Sequence, residues 1–103
     1  MTYEEAEGWT TLADANRRSI LMELAECERT VSELTRRLPV SQPAVSQHLK
    51  VLKHSGLVSD RAEGTKRIYR LNEAGVVALR DQLDTFWKRT MSGFVQLMEE
   101  EDR

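Results

Sequence analysis

The chain has 103 residues, 40% of them apolar and 31% charged, which fits one small globular domain and argues against disorder. No apolar run approaches the roughly 18–20 residues of a membrane span, and the acidic start Met1-Thr2-Tyr3-Glu4-Glu5-Ala6-Glu7 lacks signal-peptide character. The single cysteine, Cys27, excludes an intramolecular disulfide and fits a reducing cytoplasm.

The net charge of −2 is unevenly distributed. Residues 1–16 carry −4, residues 17–70 carry +5 and residues 71–103 carry −3. A basic middle between acidic ends points to a surface that meets a polyanion.

In chain order, Trp9, Leu12 and Ala13 have helical spacing, and the register breaks at Asp14-Ala15-Asn16, where Asp or Asn can cap a new helix. A second helix runs through Ile20, Leu21, Leu24 and Ala25. Thr30-Val31-Ser32-Glu33 reads as a capping box, with the Thr30 hydroxyl on the Glu33 amide and the Glu33 carboxylate on the Thr30 amide. The helix it opens buries Val31, Leu34 and Leu38, and Pro39 stops it. Ser41 is the next N-cap, Pro43 is tolerated in the first helical turn, and the helix runs to His54 before Gly56. Two short helices joined by Pro39-Val40 form a helix-turn-helix.

The period then changes. Leu57–Ala62 and Lys66–Leu71 pair as a hairpin around Glu63-Gly64-Thr65. A last helix starts near residues 72–74 and runs close to Met98, with the stripe Val76, Leu79, Leu83, Phe86, Trp87, Met91, Phe94, Val95 and Met98. The expected fold is mainly α with a small β-hairpin: a winged helix-turn-helix of order α-α-α-α-β-β-α ending in a long helix. It is one domain over 1–103, with a DNA-binding core at 10–71, a dimerisation helix at 72–98 and an acidic tail at 99–103.

In the helix after Ser41 the 3.6-residue period separates two faces. Val45, Leu49 and Leu52 point inward; Pro43, Ser46, Gln47, Lys50 and His54 point out, with Gln42 on the exposed flank. The outer face has no acid. A face of Ser, Gln and Lys suits the major groove, where Gln pairs two-pronged with adenine and Ser serves several bases. Ser41, Gln42, Pro43, Ser46, Gln47 and Lys50 are therefore the candidate DNA contacts. Arg61, Lys66 and Arg67 join them from the hairpin tip as phosphate contacts, because Glu63 is the only acid close in sequence to the tip. Tyr69 and Leu71 share a strand face and pack inward.

The strings Leu12-Ala13-Asp14-Ala15-Asn16-Arg17-Arg18-Ser19-Ile20-Leu21, Thr30-Val31-Ser32-Glu33-Leu34 and Ser41-Gln42-Pro43-Ala44-Val45-Ser46-Gln47-His48-Leu49-Lys50-Val51-Leu52 resemble the ArsR (ArsR/SmtB-type) family of bacterial transcriptional repressors. So do Ser55-Gly56-Leu57-Val58 and the following Arg61, Gly64, Lys66-Arg67 and Tyr69-Arg70-Leu71. The resemblance implies a homodimer on a palindromic operator, with base contacts from positions matching Gln42, Ser46 and Gln47. A last helix of about 25 residues would span about 37 Å, more than one small domain covers. Leu83, Trp87, Met91, Phe94 and Met98, with Trp9 and Leu12 of the first helix, are the expected dimer interface.

The family's metal-sensing ligands are missing. The segment Ser32–Leu38 has no Cys-x-Cys pair, and the last helix carries Asp81 and Asp84 but no His. One thiol and two histidines on another helix, His48 and His54, make no credible tetrahedral site. Cys27 lies between Glu26 and Glu28 without a resolving partner. No phosphate loop, nucleophile elbow or HExxH motif suggests an enzyme. The reading is a cytoplasmic, homodimeric, metal-independent repressor binding double-stranded DNA, with no cofactor and no membrane association. The alternatives are a ligand- or metal-responsive repressor with a non-standard sensing site, or a winged-helix module that binds protein.

Overall fold

The computed structural model describes the backbone of residues 3–102 and the side chains of residues 8–102. Met1, Thr2 and Arg103, counted in the single domain above, lie outside the described residues. The elements are α1 (Tyr3–Leu12), α2 (Ala15–Glu26), β1 (Arg29–Thr30), α3 (Val31–Arg37), α4 (Gln42–His54), β2 (Val58–Glu63), β3 (Lys66–Leu71) and α5 (Glu73–Glu101).

Local chemistry explains most of these boundaries. Asp14 caps α2 by accepting from the amides of Asn16 and Arg17. The expected capping box opens α3: the Thr30 hydroxyl accepts the Glu33 amide at 3.2 Å, and Glu33 Oε1 accepts the Thr30 amide at 3.2 Å. Ser41 caps α4 by accepting the Ala44 amide. Gly56 follows α4 at φ 80°, a left-handed conformation that L side chains rarely adopt. Gly64 has φ 63°; with Glu63 opposite Lys66, Gly64-Thr65 forms a two-residue hairpin turn with positive φ at its first position only, the II′ pattern.

Three features differ from expectation, the first being that the leading hairpin strand runs Val58–Glu63 rather than Leu57–Ala62, which shortens the turn to two residues. Arg29–Thr30 forms a short strand, β1, pairing Arg29 with Tyr69 and Thr30 with Ile68, so the sheet has order β1-β3-β2. Two residues carry no legible alternation, and only the waiting edge of β3 makes them a strand. Helix α5 continues through Glu99, Glu100 and Glu101, because nothing after Met98 breaks a helix and acidic residues propagate it well.

The core lies where α2, α3 and α4 meet the base of the hairpin. Ile20, Leu24, Leu34, Val45, Leu49, Leu52, Leu57, Val58 and Leu79 are buried there. Around it pack Leu12, Leu21, Val31, Leu38, Tyr69, Leu71, Val76 and Leu83. Buried Arg29 joins β1 to α2, reaching Glu26 at 2.8 Å and Glu23 at 3.3 Å, while Arg37 of α3 also pairs with Glu23.

Helix α5 leaves this body. The Cα radius of gyration is 17.6 Å and the long axis 67 Å, against about 13 Å expected for a compact chain of 100 residues. Leu49, fully buried, holds α4 against the body. Leu49→Ala should therefore cost about 2–5 kcal/mol of unfolding free energy, measured by urea denaturation.

Candidate nucleic-acid interface

Burial separates the two faces of α4. Val45, Leu49 and Leu52 are fully buried, while Gln42, Pro43, Ser46, Gln47 and Lys50 are exposed. Ser41 is exposed too, although its hydroxyl also accepts the capping amide. A cap, an apolar seat and the helical period thus leave one acid-free face open to a groove. The helix is further held from α2, where Arg17 Nε donates to His48 Nδ1 at 3.3 Å. His48 is half-buried and hydrogen-bonded, as its place beside the stripe suggests.

The wing departs from expectation in two ways. First, Glu63 is not the only acid near its cations. Asp60 Oδ2 lies 3.0 Å from Arg67, and Glu28 Oε2 lies 2.7 Å from Arg61, which also reaches Glu63 at 3.5 Å. Glu28 comes from the segment before β1, a long-range neighbour that tip composition does not reveal. Its hydrogen bond is the main cause holding the Arg61 guanidinium above its ordinary pKa. Lys66 makes no ion pair among the described residues.

Second, the cations do not share one face. Ala62 opposes Arg67 and Glu63 opposes Lys66, so the pleat places Arg67 with Asp60 and Tyr69, and Lys66 with Arg61, on opposite sides. Tyr69 and Leu71 do share the face that packs on the core.

Asp60 is the site residue that composition missed. Its side chain is only 6% exposed, and it receives Lys53 Nζ of α4 at 2.9 Å as well as Arg67 of β3. One carboxylate thus ties α4 to the wing. A signal was present: Asp60 lies two residues from buried Val58 on the inward strand face, where an acid needs partners. The Lys53 hydrogen bond is the main cause holding the Asp60 carboxyl below its ordinary pKa of 3.8, against the opposing effect of burial. Backbone amides hold Asp14 and Glu33 low in the same direction, Arg17 for the first and Thr30 for the second.

The expected interface residues divide into two groups. Leu12 and Leu83 pack against the core, and Trp9 meets Phe86 edge-to-face at 5.1 Å. Trp87 is 58% exposed, Phe94 55%, and Met91 and Met98 are exposed as well. Leu12, Leu21, Leu83 and Trp87 border an open, largely apolar groove of about 380 Å³ beside this stripe. Cys27 is a free, exposed thiol, and among the described residues no three His, Cys, Asp or Glu side chains converge to hold a metal ion. No described helix is long and apolar enough to cross a membrane.

Residues 14–60 match the family described as bacterial regulatory protein, arsR family. The chain is 52% identical over 101 residues to the HTH-type transcriptional regulator Rv2034 of Mycobacterium tuberculosis, covering 97% of this chain and 94% of that protein. The chain belongs to the ArsR family. Among solved structures, an ArsR-like transcriptional regulator from Rhodococcus sp. RHA1 superposes with a TM-score of 0.73 at 31% identity, covering 91% of this chain and 92% of that one. A possible transcriptional regulator for arsenical resistance gives 0.72 at 38% identity, covering 81% and 91%. As an ArsR-family transcriptional regulator, this chain carries the winged helix-turn-helix of its relatives.

Asp60 has a checkable consequence. A carboxyl held low in the folded state stabilises fully above its unfolded pKa and loses that contribution as pH falls through the folded value. Stability should therefore decline below about pH 4. Asp60→Asn should be less stable than the parent at pH 7, and the gap should narrow by pH 3 in urea denaturation.

Proposed function

We propose that this ArsR-family regulator is a homodimeric repressor that occupies a palindromic operator in the cytoplasm without a metal cofactor. The observation that carries the reading is the capped, acid-free face of α4, with Gln42, Pro43, Ser46, Gln47 and Lys50 exposed over a fully buried Val45/Leu49/Leu52 seat. A recognition helix reads base edges from its N-terminal residues. Gln42, Ser46 and Gln47 would make those contacts, and Lys50 would add charge toward phosphate. At the wing, Lys66 is the unencumbered phosphate contact, while Arg61 and Arg67 would first exchange their carboxylates for phosphate.

The dimer reading rests on α5. Trp87, Met91, Phe94 and Met98 recur at alternating steps of four and three, the spacing of a heptad seam. They stand exposed on the part of the helix that leaves its own body. A two-fold partner covers such a stripe, and the resulting pair presents two reading helices to a two-fold operator. Phe94→Glu should convert a dimer into a monomer in sedimentation at micromolar concentration; an unchanged dimer removes α5 from the interface.

Binding to the DNA upstream of its own gene tests the regulatory reading. Affinity should fall steeply with salt through counterion release, and added zinc or a chelator should leave it unchanged. Gln47→Ala should lower discrimination at particular base pairs by about 1–3 kcal/mol, whereas Lys66→Ala should weaken all sequences alike and reduce the salt slope by about 1. Salt-insensitive or absent DNA binding beside a stable protein partner would instead mark a protein-interaction module. A tenfold zinc effect would mark a sensor.

A further inference from the structure

The end of α4 farthest from the base-reading residues is held in an unusual way. Gly56 follows the helix, and its carbonyl accepts from Asn72 Nδ2 at 2.9 Å. Asn72 occupies the N-cap position of α5 yet makes no side-chain capping bond. An Asn there ordinarily stabilises its own helix by accepting a first-turn amide; here the side chain serves the end of another helix. The Asn72 amide also donates to Leu57 O at 2.9 Å.

Next to this bond the two backbones nearly touch. A Cβ at Gly75, in the first turn of α5, would lie 1.8 Å from Gly56 O and 2.8 Å from Gly56 C. Both obstacles are backbone, so no rotamer change relieves them. Helix α1 holds the same corner from the other side. Thr11 is only 2% exposed, and its Oγ1 lies 2.6 Å from Ser55 Oγ at the C-cap of α4. Ser55 in turn donates to Val51 O at 3.0 Å, so the two hydroxyls and the last turn of α4 form one chain of contacts. A Cβ on Gly8 would meet Leu79 Cδ1 at 3.3 Å, so α1 and α5 are themselves closely packed.

We infer that this corner sets the angle at which α5 carries the recognition helix, making Gly75, Asn72 and Thr11 positioning residues for binding two half-sites at once. The inference rests on the dimeric, DNA-binding reading above. The seat of α4 on α2 and α3 holds each reading head, while Leu79 in the core and the corner join that head to α5. Helix α5 has 29 residues, about 44 Å at 1.5 Å per residue. A shift of an ångström or so at its first turn is therefore amplified along its length. One head meeting one half-site does not register such a shift. Two heads meeting grooves about 34 Å apart do, because the second contact depends on the effective concentration that the first provides.

The test uses the full chain on three sets of duplexes: the footprinted operator, a single half-site, and operators with one or two base pairs added or removed between half-sites. Gly75→Ala should bind the native operator about tenfold or more weakly, keep half-site affinity within about twofold, and shift its preferred spacing. Thr11→Val should move in the same direction by less, and Thr11→Ser should restore wild-type binding. These variants retain the buried stripe of α4, so Thr11→Val carries the test if Gly75→Ala folds poorly. Wild-type operator binding by both Gly75→Ala and Thr11→Val overturns the inference, as does an equal loss on half-site and full operator. A wild-type chain that is monomeric or does not bind DNA fails earlier and overturns the function reading itself.

Discussion

The orientation of the acid-free face of α4 depends on the burial of Val45, Leu49 and Leu52 along one side of a 13-residue helix. Their contact with Ile20, Leu24 and Leu34 removes apolar area from water, worth about 1.5–3 kcal/mol for each large side chain. The same contact settles the rotation of the helix about its axis. Once three inward positions are fixed, the period of 3.6 leaves Gln42, Ser46, Gln47 and Lys50 outward without any further interaction. Surface chemistry here follows from core packing rather than from contacts among the surface residues.

The wing is organised by a different force. Its register is set by backbone pairing and a glycine turn and its base is buried in the core through Leu57 and Val58, while Asp60, a nearly enclosed carboxylate between Lys53 and Arg67, adds an ionic tie to α4. Isolated ion pairs on a surface contribute little. Here only the carboxylate is sheltered, its two cations being more than half exposed, and it reaches two elements, α4 and β3. The cations of the wing accordingly play unequal parts: Arg61 and Arg67 are held by carboxylates, and Lys66 has none among the described residues.

Short-range chemistry was legible in the chain itself. The Thr30/Glu33 box, the Ser41 cap, the glycines at 56 and 64 and the inward stripe of α4 each depend on residues within a few positions of one another. What escaped was long-range. The strand status of Arg29–Thr30 depends on β3, about 40 residues later. Arg61 finds Glu28 across a similar separation, and the approach of Gly75 to Gly56 depends on how α5 lies against the end of α4. Asn72 shows the limit well: it stands at the N-cap position of α5, and only the fold diverts its side chain to Gly56.

Helix α3, at seven residues, is shorter than the dozen or so that a helix needs to persist alone in water. Its box of reciprocal hydrogen bonds offsets part of the nucleation cost, and Leu34 against α4 supplies the rest. The two helices of the motif are thus one cooperative unit. Thermal opening that frees α3 also takes Leu34 from beneath α4, so loss of the shorter helix weakens the seat of the longer one.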